Sequence, residues 1–167
     1  MIEEKKEGKM ATVGRRMLLE LAAAILLVVL WGQTVWAYSV LPESIPVHFN
    51  FKGEVDRYGS KTNLFILSII ATIIYLGLTF IPAKLAQFNF PNSTDKENRS
   101  AQINFARSIF MYLKIVILVI FLILSLFTCL VSLKMVKGLG LWFYLLLMIL
   151  FVPTIVIVIK AIKIKRH

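Results

Sequence analysis

The segment LPESIPVHFNFKGEVDRYGSK (residues 41–61) separates two long apolar runs and differs sharply from both of them. It contains two prolines, two glycines, several charged residues and His48, while the second histidine of the chain is His167. Charged side chains and irregular backbone find no hydrogen-bonding partners in lipid, so such a segment belongs outside the hydrocarbon. The segment therefore marks where the first apolar run ends and the second begins.

The apolar runs themselves indicate a membrane protein. Of the 167 residues, 59% are hydrophobic and 17% are charged, whereas soluble domains are about 45–50% apolar and about 25% charged. A helix of roughly 20 apolar residues crosses about 30 Å of hydrocarbon. Four runs satisfy this length, and each must be helical because lipid offers no partner for the backbone amides. The predicted spans are residues 17–38, 64–81, 110–133 and 139–159.

The predicted fold is therefore an all-α membrane protein, in which residues 1–167 form one multi-pass domain. It is a bundle of four transmembrane helices with a structured extracytoplasmic loop between the first two. The first span resembles a secretory signal, but its apolar region exceeds the usual 7–15 residues, and we interpret it as a retained anchor. The remaining predicted segments are a tail (1–16), the structured loop (39–63), a loop with an amphipathic helix (82–109), a short turn (134–138) and a second tail (160–167).

The distribution of Lys and Arg predicts the orientation. Thirteen of these residues lie in the two tails and the second loop, and five lie in the first and third loops. Cytoplasmic segments are enriched in positive residues, so both termini are predicted to be cytoplasmic. Trp31, Trp36 and Tyr38 are then expected to form an aromatic belt at the outer face. One continuous helix is predicted from about residue 95 to residue 133, so that its first part extends on the cytoplasmic side.

The outer loop has the pattern of a short hairpin. Ile45, Val47, Phe49 and Phe51 alternate with polar residues or proline, which is typical of an extended segment with one apolar face. A turn at Gly53 followed by a returning arm would complete a compact cap over the helix ends, with the two phenylalanines facing the bundle or the interface. Candidate recognition residues in this loop are Pro42, Pro46, His48, Asn50, Gly53, Asp56, Tyr58, Gly59 and Lys61.

Three interpretations of this polar loop remain open. His48 could join Glu43, Glu54 and Asp56 in a metal site or an acid–base pair, although zinc sites usually need several His or Cys ligands. The loop could instead be a binding surface for a peptide or a lipid headgroup, or a purely structural cap. The single cysteine, Cys129, lies in an apolar run. We predict no catalytic residue, metal or cofactor and no enzymatic activity, since the chain contains no recognisable catalytic motif.

Two charged residues lie inside predicted spans, Glu20 in the first and Lys114 in the third. Each has a simple local explanation, because Arg16 could pair with Glu20 one helical turn away and Lys114 could extend to the headgroups. A contact between Glu20 and Lys114 across the bundle is the alternative hypothesis, since both lie at similar depth.

The loop also resembles a known family. Its Leu-Pro, Ile-Pro-x-His, Gly, Asp and Tyr-Gly-Ser-Lys elements are similar to a bacterial membrane domain of unknown function at the N-terminus of the sporulation-delaying-protein (Sdp) immunity family. A second similarity lies in TDKENRSAQINFARSIFMYLK (residues 94–114). The matching loop positions are Leu41, Pro42, Ile45, Pro46, His48, Gly53, Asp56, Gly59, Ser60 and Lys61.

This resemblance implies a multi-pass protein of a bacterial cell membrane, with a role in toxin immunity or membrane sensing through the outer loop. The expected partners are membrane lipids, a peptide toxin on the outer face and a repressor-like protein in the cytoplasm, with no nucleic acid. The family's immunity protein has an additional C-terminal membrane module that this chain does not share. An alternative is that the chain is a small accessory or scaffold subunit of a membrane transport complex. Four helices enclose little interior, which also makes small oligomers compatible with the sequence.

Overall fold

The computed structural model describes residues 2–85 and 96–164. These residues form, in order, helix α1 (Ile2–Val40), strands β1 (Ser44–Phe49) and β2 (Val55–Ser60), and helices α2 (Asn63–Leu85), α3 (Lys96–Ser132) and α4 (Leu141–Ile164). The fold is mostly helical, and the structured loop contains a two-stranded sheet. The prediction of a mostly helical fold with a structured loop between the first two long helices is confirmed, and the loop forms the short hairpin that its alternating pattern predicts.

Within the described residues, three helices are long and apolar enough to cross a membrane. Their candidate spans are Val13–Val40, Asn63–Pro82 and Ile103–Ser132, which contain most of the first three predicted spans. The fourth predicted span falls on α4, whose described apolar part, Leu141–Ile155, is shorter than these three. The continuous helix predicted from about residue 95 to residue 133 is confirmed as α3.

Helix α3 is the element on which the others pack. It contacts α1, α2, β1 and α4. Between the first three helices, Ala23 of α1, Ala71 of α2 and Leu118 of α3 are buried in one cluster with Leu30. Alanine at these positions lets the helix backbones approach closely, which matters in a membrane because lipid is as apolar as the side chains it would replace. Helix α4 lies at the side of this group and leaves most of its apolar surface exposed.

Polar side chains also join the helices within the apolar region. Thr34 of α1 and Ser68 of α2 share a buried hydrogen bond between their hydroxyl oxygens, 2.6 Å apart. The indole Nε1 of Trp31 donates to Oγ1 of Thr72 at 3.0 Å. Such bonds between membrane helices are worth about 0.6 kcal/mol on average, with about 1.7 kcal/mol as the largest measured. They fix the rotation of α1 relative to α2 more than they add to stability.

The strongest polar contact in the bundle joins α1 and α3. The Nζ atom of Lys114 donates to both carboxylate oxygens of Glu20, at 2.8 and 3.0 Å, and lies 5.1 Å from the centre of the Tyr75 ring. Only 1% of the Lys114 side chain is exposed, against 42% for Glu20. The hypothesis of a Glu20–Lys114 contact is confirmed. The expectation that Lys114 extends to the headgroups is wrong, because Glu20 and Tyr75 hold its ammonium group inside the bundle.

Replacing Glu20 should therefore destabilise the protein more than replacing Lys114. We expect Glu20→Gln to lower the free energy of unfolding by about 3–5 kcal/mol, because Lys114 stays buried without a counter-charge. Lys114→Met should cost less, since 42% of the Glu20 side chain is already exposed whereas Lys114 is buried. The double variant should recover most of the loss of Glu20→Gln, because no buried charge remains. Unfolding in mixed detergent micelles measures all three values.

The matched control is Arg16→Gln. Arg16 donates to the side-chain oxygen of Asn104 in an exposed bond, and exposed polar contacts of this kind contribute about 0–1 kcal/mol. A double variant as unstable as the sum of its two single variants would contradict the assignment of the ion pair.

Candidate functional site

The loop between α1 and α2 folds into an antiparallel hairpin, here called the hairpin (residues 44–60). Its register pairs Ser44 with Ser60, Pro46 with Tyr58 and Phe49 with Val55, with irregularities on both sides of His48. The two extended arms predicted from the alternating pattern are therefore present. The irregular register around His48 was not predicted by that pattern.

Asn50 builds the turn of the hairpin. Its side-chain oxygen accepts hydrogen bonds from the backbone N–H groups of Lys52, at 2.8 Å, and Glu54, at 3.1 Å. Its Nδ2 atom donates to the carboxylate of Glu54 at 3.2 Å. An asparagine that bonds to the backbone two residues on is a known turn former. The side chain of Asn50, predicted to take part in recognition, is thus occupied in holding the turn together.

One face of β1 rests on the helices. Ile45 is 1% exposed and belongs to a buried cluster with Ala37, Leu64 and Cys129. Val47 packs against the same cluster, and Phe49 packs on the cluster that contains Leu139 (a residue of the α3–α4 turn). The predicted apolar face is confirmed up to Phe49. Phe51 lies in the turn with 85% of the residue exposed, and its ring centre is 6.5 Å from that of Phe143 of α4, in an edge-to-face arrangement.

The tip of the hairpin is tied to the turn between α3 and α4 by backbone atoms. The carbonyl oxygen of Gly53 accepts from the N–H of Leu139 at 2.7 Å, and Glu54 forms an isolated bridge with Gly138. Gly53 has a φ of +74°, a conformation that favours glycine. A Cβ atom on Gly138 would collide with the carbonyl oxygen of Gly53. The two segments can touch because both of these residues are glycines.

A cavity of about 400 Å³ lies between the hairpin and the helices. It is bounded by β1, by the first half of α2, by the last part of α3 and by the start of α4, and most of its lining side chains are apolar. Ile66 and Ile70, on the α2 side of the cavity, are also part of the exposed apolar surface. The cavity is large enough for an apolar side chain or part of an acyl chain. Representative lining residues are Pro46, Phe49, Leu67, Leu124, Leu139 and Phe143.

The opposite face of the hairpin is polar and exposed. His48 Nδ1 and Asp56 Oδ1 lie 2.6 Å apart, and 56% and 41% of these side chains are exposed. Tyr58 stands beside them with 61% of the residue exposed. A histidine and a carboxylate held together at an accessible surface can bind a ligand by donating and accepting hydrogen bonds. The hairpin therefore combines a polar outer face with an apolar cavity beneath it.

The structure does not bring together the four side chains that were considered for a metal or acid–base site. His48 and Asp56 come together, whereas Glu43 binds Lys61 at 2.9 Å and Glu54 is engaged by Asn50. In residues 2–85 and 96–164, no group of three or more His, Cys, Asp or Glu side chains could hold a metal ion.

The remaining predicted recognition residues differ in their exposure and in their contacts. Pro42 is exposed, whereas Pro46, a residue of β1, is buried. Gly59 lies against Val47, which a Cβ atom at this position would approach to 3.0 Å. Lys61 binds Glu43 and lies 4.9 Å from the centre of the Tyr38 ring. Gly138 was not predicted; its only signal in the sequence is the short glycine-containing turn after α3.

Comparison with protein families matches this region of the chain. The domain of unknown function DUF1648 matches residues 25–72, which contain the hairpin with the adjoining parts of α1 and α2. An uncharacterized protein of the archaeon Archaeoglobus fulgidus is 43% identical over 49 residues, which are 29% of this chain and 27% of the relative. The aligned part thus spans about a quarter of that relative. No solved structure matches the chain.

Gly138→Ala should release the hairpin from the α3–α4 turn. The added methyl group meets a backbone carbonyl that cannot rotate away, and overpacking of this kind costs about 1–3 kcal/mol. We expect a lower melting temperature and faster hydrogen exchange at the N–H of Leu139, measured by mass spectrometry. Gly32→Ala is the matched control, because a Cβ atom there has no neighbour within 4 Å. Unchanged exchange at Leu139 in Gly138→Ala would contradict the docking contact.

Proposed function

We propose that this chain is a multi-pass cell-membrane protein that gives immunity to, or senses, a membrane-active peptide through the hairpin. One observation carries the proposal: an exposed polar surface, with His48 and Asp56, covers an apolar cavity of about 400 Å³ at the helix ends. A peptide that acts on membranes must have both apolar and polar parts. The cavity suits an apolar side chain of such a peptide, and the outer face of the hairpin suits its polar groups.

The resemblance to the Sdp immunity family supports the choice of a toxin as ligand. The main elements of that resemblance lie in the hairpin and at its borders. Among them, His48 and Asp56 form the exposed pair, and Ile45 and Pro46 line the cavity. The same 49 residues make up similar shares of this chain and of its archaeal relative. The two proteins are therefore of similar length.

The proposed topology has four spans, with α4 as the fourth and both termini in the cytoplasm. Three facts support it: the apolar run of residues 139–159, the exposed apolar surface of α4, and the thirteen positive residues against five. The hairpin then faces outward, where a peptide toxin arrives. The first turns of α3 face the cytoplasm, where a repressor-like protein could bind.

Cysteine labelling tests this topology directly. Cys129 is the only cysteine and is buried, so Cys129→Ser provides a background without a reactive thiol. Single cysteines replacing Ser44 or Lys137 should react with a membrane-impermeant maleimide added to intact cells, because the proposed orientation exposes both outside. A cysteine replacing Met10 should react only after the cells are opened. Labelling of the Met10 position but not of the Ser44 position in intact cells would reverse the topology.

The immunity proposal is tested by expression in a sensitive bacterium exposed to the sporulation-delaying bacteriocin. We expect survival to rise at least tenfold over an empty vector. The variant His48→Gln/Asp56→Asn should lose most of this protection, because it removes the charged pair from the outer face of the hairpin. Its melting temperature should change little, since exposed pairs contribute about 0–1 kcal/mol.

Arg57→Gln is the matched control, because it removes a charge from the same strand and leaves the His48–Asp56 pair intact. Wild-type protein that reaches the membrane and gives no protection would refute immunity. Full protection by the double variant would instead refute the hairpin as the recognition surface.

An accessory subunit of a transport complex is the second candidate, and the position of α4 favours it. Among the described helices, α4 packs mainly on α3, and Leu141, Trp142, Met148 and Ile155 are each at least 55% exposed. Such a surface can bind a further membrane helix. Purification in a stoichiometric complex with a larger transport protein would favour this role over immunity.

A further inference from the structure

A second and larger cavity, of about 750 Å³, lies at the end of the helix bundle opposite the hairpin. It is formed by the first part of α1, the last part of α2 and the first half of α3. Residues 25–72, which match the domain of unknown function, do not reach its basic residues. The cavity is therefore a feature of this chain beyond the matched region.

The lining of this basic cavity is strongly positive. Among the described residues that line it, four are basic and one is acidic, Glu20, which gives a net charge of +3. Glu20 is held by Lys114 at the inner end of the cavity. Arg16 uses one of its five N–H donors on Asn104. The basic lining residues are Arg15, Arg16, Arg107 and Lys114.

The three arginines lie near one end of the candidate membrane spans. On α1, Arg16 and Trp36 are twenty residues apart, which corresponds to about 30 Å along a helix, the thickness of the hydrocarbon. Arg107 is the fifth residue of the candidate span Ile103–Ser132. The arginine end of the cavity therefore coincides with one border of the membrane.

Below the arginines the cavity wall changes to apolar side chains. Leu19, Leu78, Phe110, Met111 and Ile115 line it together with the basic residues. A small hydrated anion would gain nothing from these apolar groups. A lipid, in contrast, would place its phosphate against the guanidinium groups and the upper part of an acyl chain against the apolar wall.

We propose that this basic cavity binds the phosphate headgroup of an anionic membrane phospholipid. Guanidinium groups bind phosphate oxygens through paired, charge-assisted hydrogen bonds, and basic pockets between membrane helices are suited to anionic headgroups. The net charge of +3 favours a headgroup with a net negative charge over a zwitterionic one. The site is independent of the proposed immunity function, because it lies at the other end of the bundle.

Native mass spectrometry of the full chain in detergent tests this site. Phosphatidylglycerol, phosphatidylcholine and inorganic phosphate are added separately. We expect bound phosphatidylglycerol at concentrations at which phosphatidylcholine shows at least tenfold less binding. The variants Arg107→Gln and Arg15→Gln/Arg16→Gln should each reduce phosphatidylglycerol binding about tenfold. Arg107→Lys should lie between the wild type and Arg107→Gln, because lysine keeps the charge but not the paired donors.

Matched controls are Lys52→Gln and Arg57→Gln, which remove the same charge from the hairpin at the opposite end and should bind as the wild type does. If one arginine variant fails to fold, the other variant and the lipid comparison still decide the question. Equal binding of phosphatidylcholine, or equal losses in the hairpin controls, would overturn the proposal. Displacement of bound phosphatidylglycerol by millimolar inorganic phosphate would identify a general anion site and would also overturn it.

Discussion

The structure depends on a constraint that membrane helices share: apolar contacts alone do not determine how they pack, because lipid solvates a leucine as well as another helix does. Polar contacts and small residues must supply the specificity. In this chain they act at two depths. Glu20 and Lys114 join α1 to α3 near one end of the bundle, and the hydrogen bonds of Thr34 with Ser68 and of Trp31 with Thr72 join α1 to α2 near the other. Together they fix the rotation of α1 and its position along the axis of the bundle.

This fixed arrangement gives the two ends of the bundle different chemistry. At one end, the last turn of α1 and the first turn of α2 carry the hairpin, whose tip is tied by Gly53 to the turn after α3. At the other end, the helices enclose a cavity with arginines at its border and the Glu20–Lys114 pair at its base. A buried ion pair is weak evidence for stability, since desolvation offsets much of its attraction. Its clearer effect here is to place the ammonium group of Lys114 beneath the arginines.

Much of this could be predicted from the sequence, because the deciding signals are local. Length and apolarity predict the spans, the alternation of Ile45, Val47 and Phe49 predicts β1, and similar depth suggests the contact of Glu20 with Lys114. The docking of Gly53 on the turn at Gly138 could not be predicted, since these residues lie far apart in sequence and meet through backbone atoms. The basic cavity could not be predicted for the same reason, because in the sequence its arginines appear only as residues flanking the predicted spans. Asn50 illustrates a third limit, because turn-forming and ligand-binding asparagines look alike until their partners are known.

The extent of the matched domain has a structural consequence. Residues 25–72 include the hairpin and the helix segments on both sides of it, but they contain neither α3 nor the α3–α4 turn. The inner face of β1 packs on Cys129 of α3 and on Leu139 of that turn, and the hairpin tip binds the same turn. The matched residues therefore cannot cover their own apolar face. A protein that shares only this region needs an equivalent third helix to cover that face. Because α3 also closes the cavity under the hairpin, the shape of the cavity depends on residues outside the matched region.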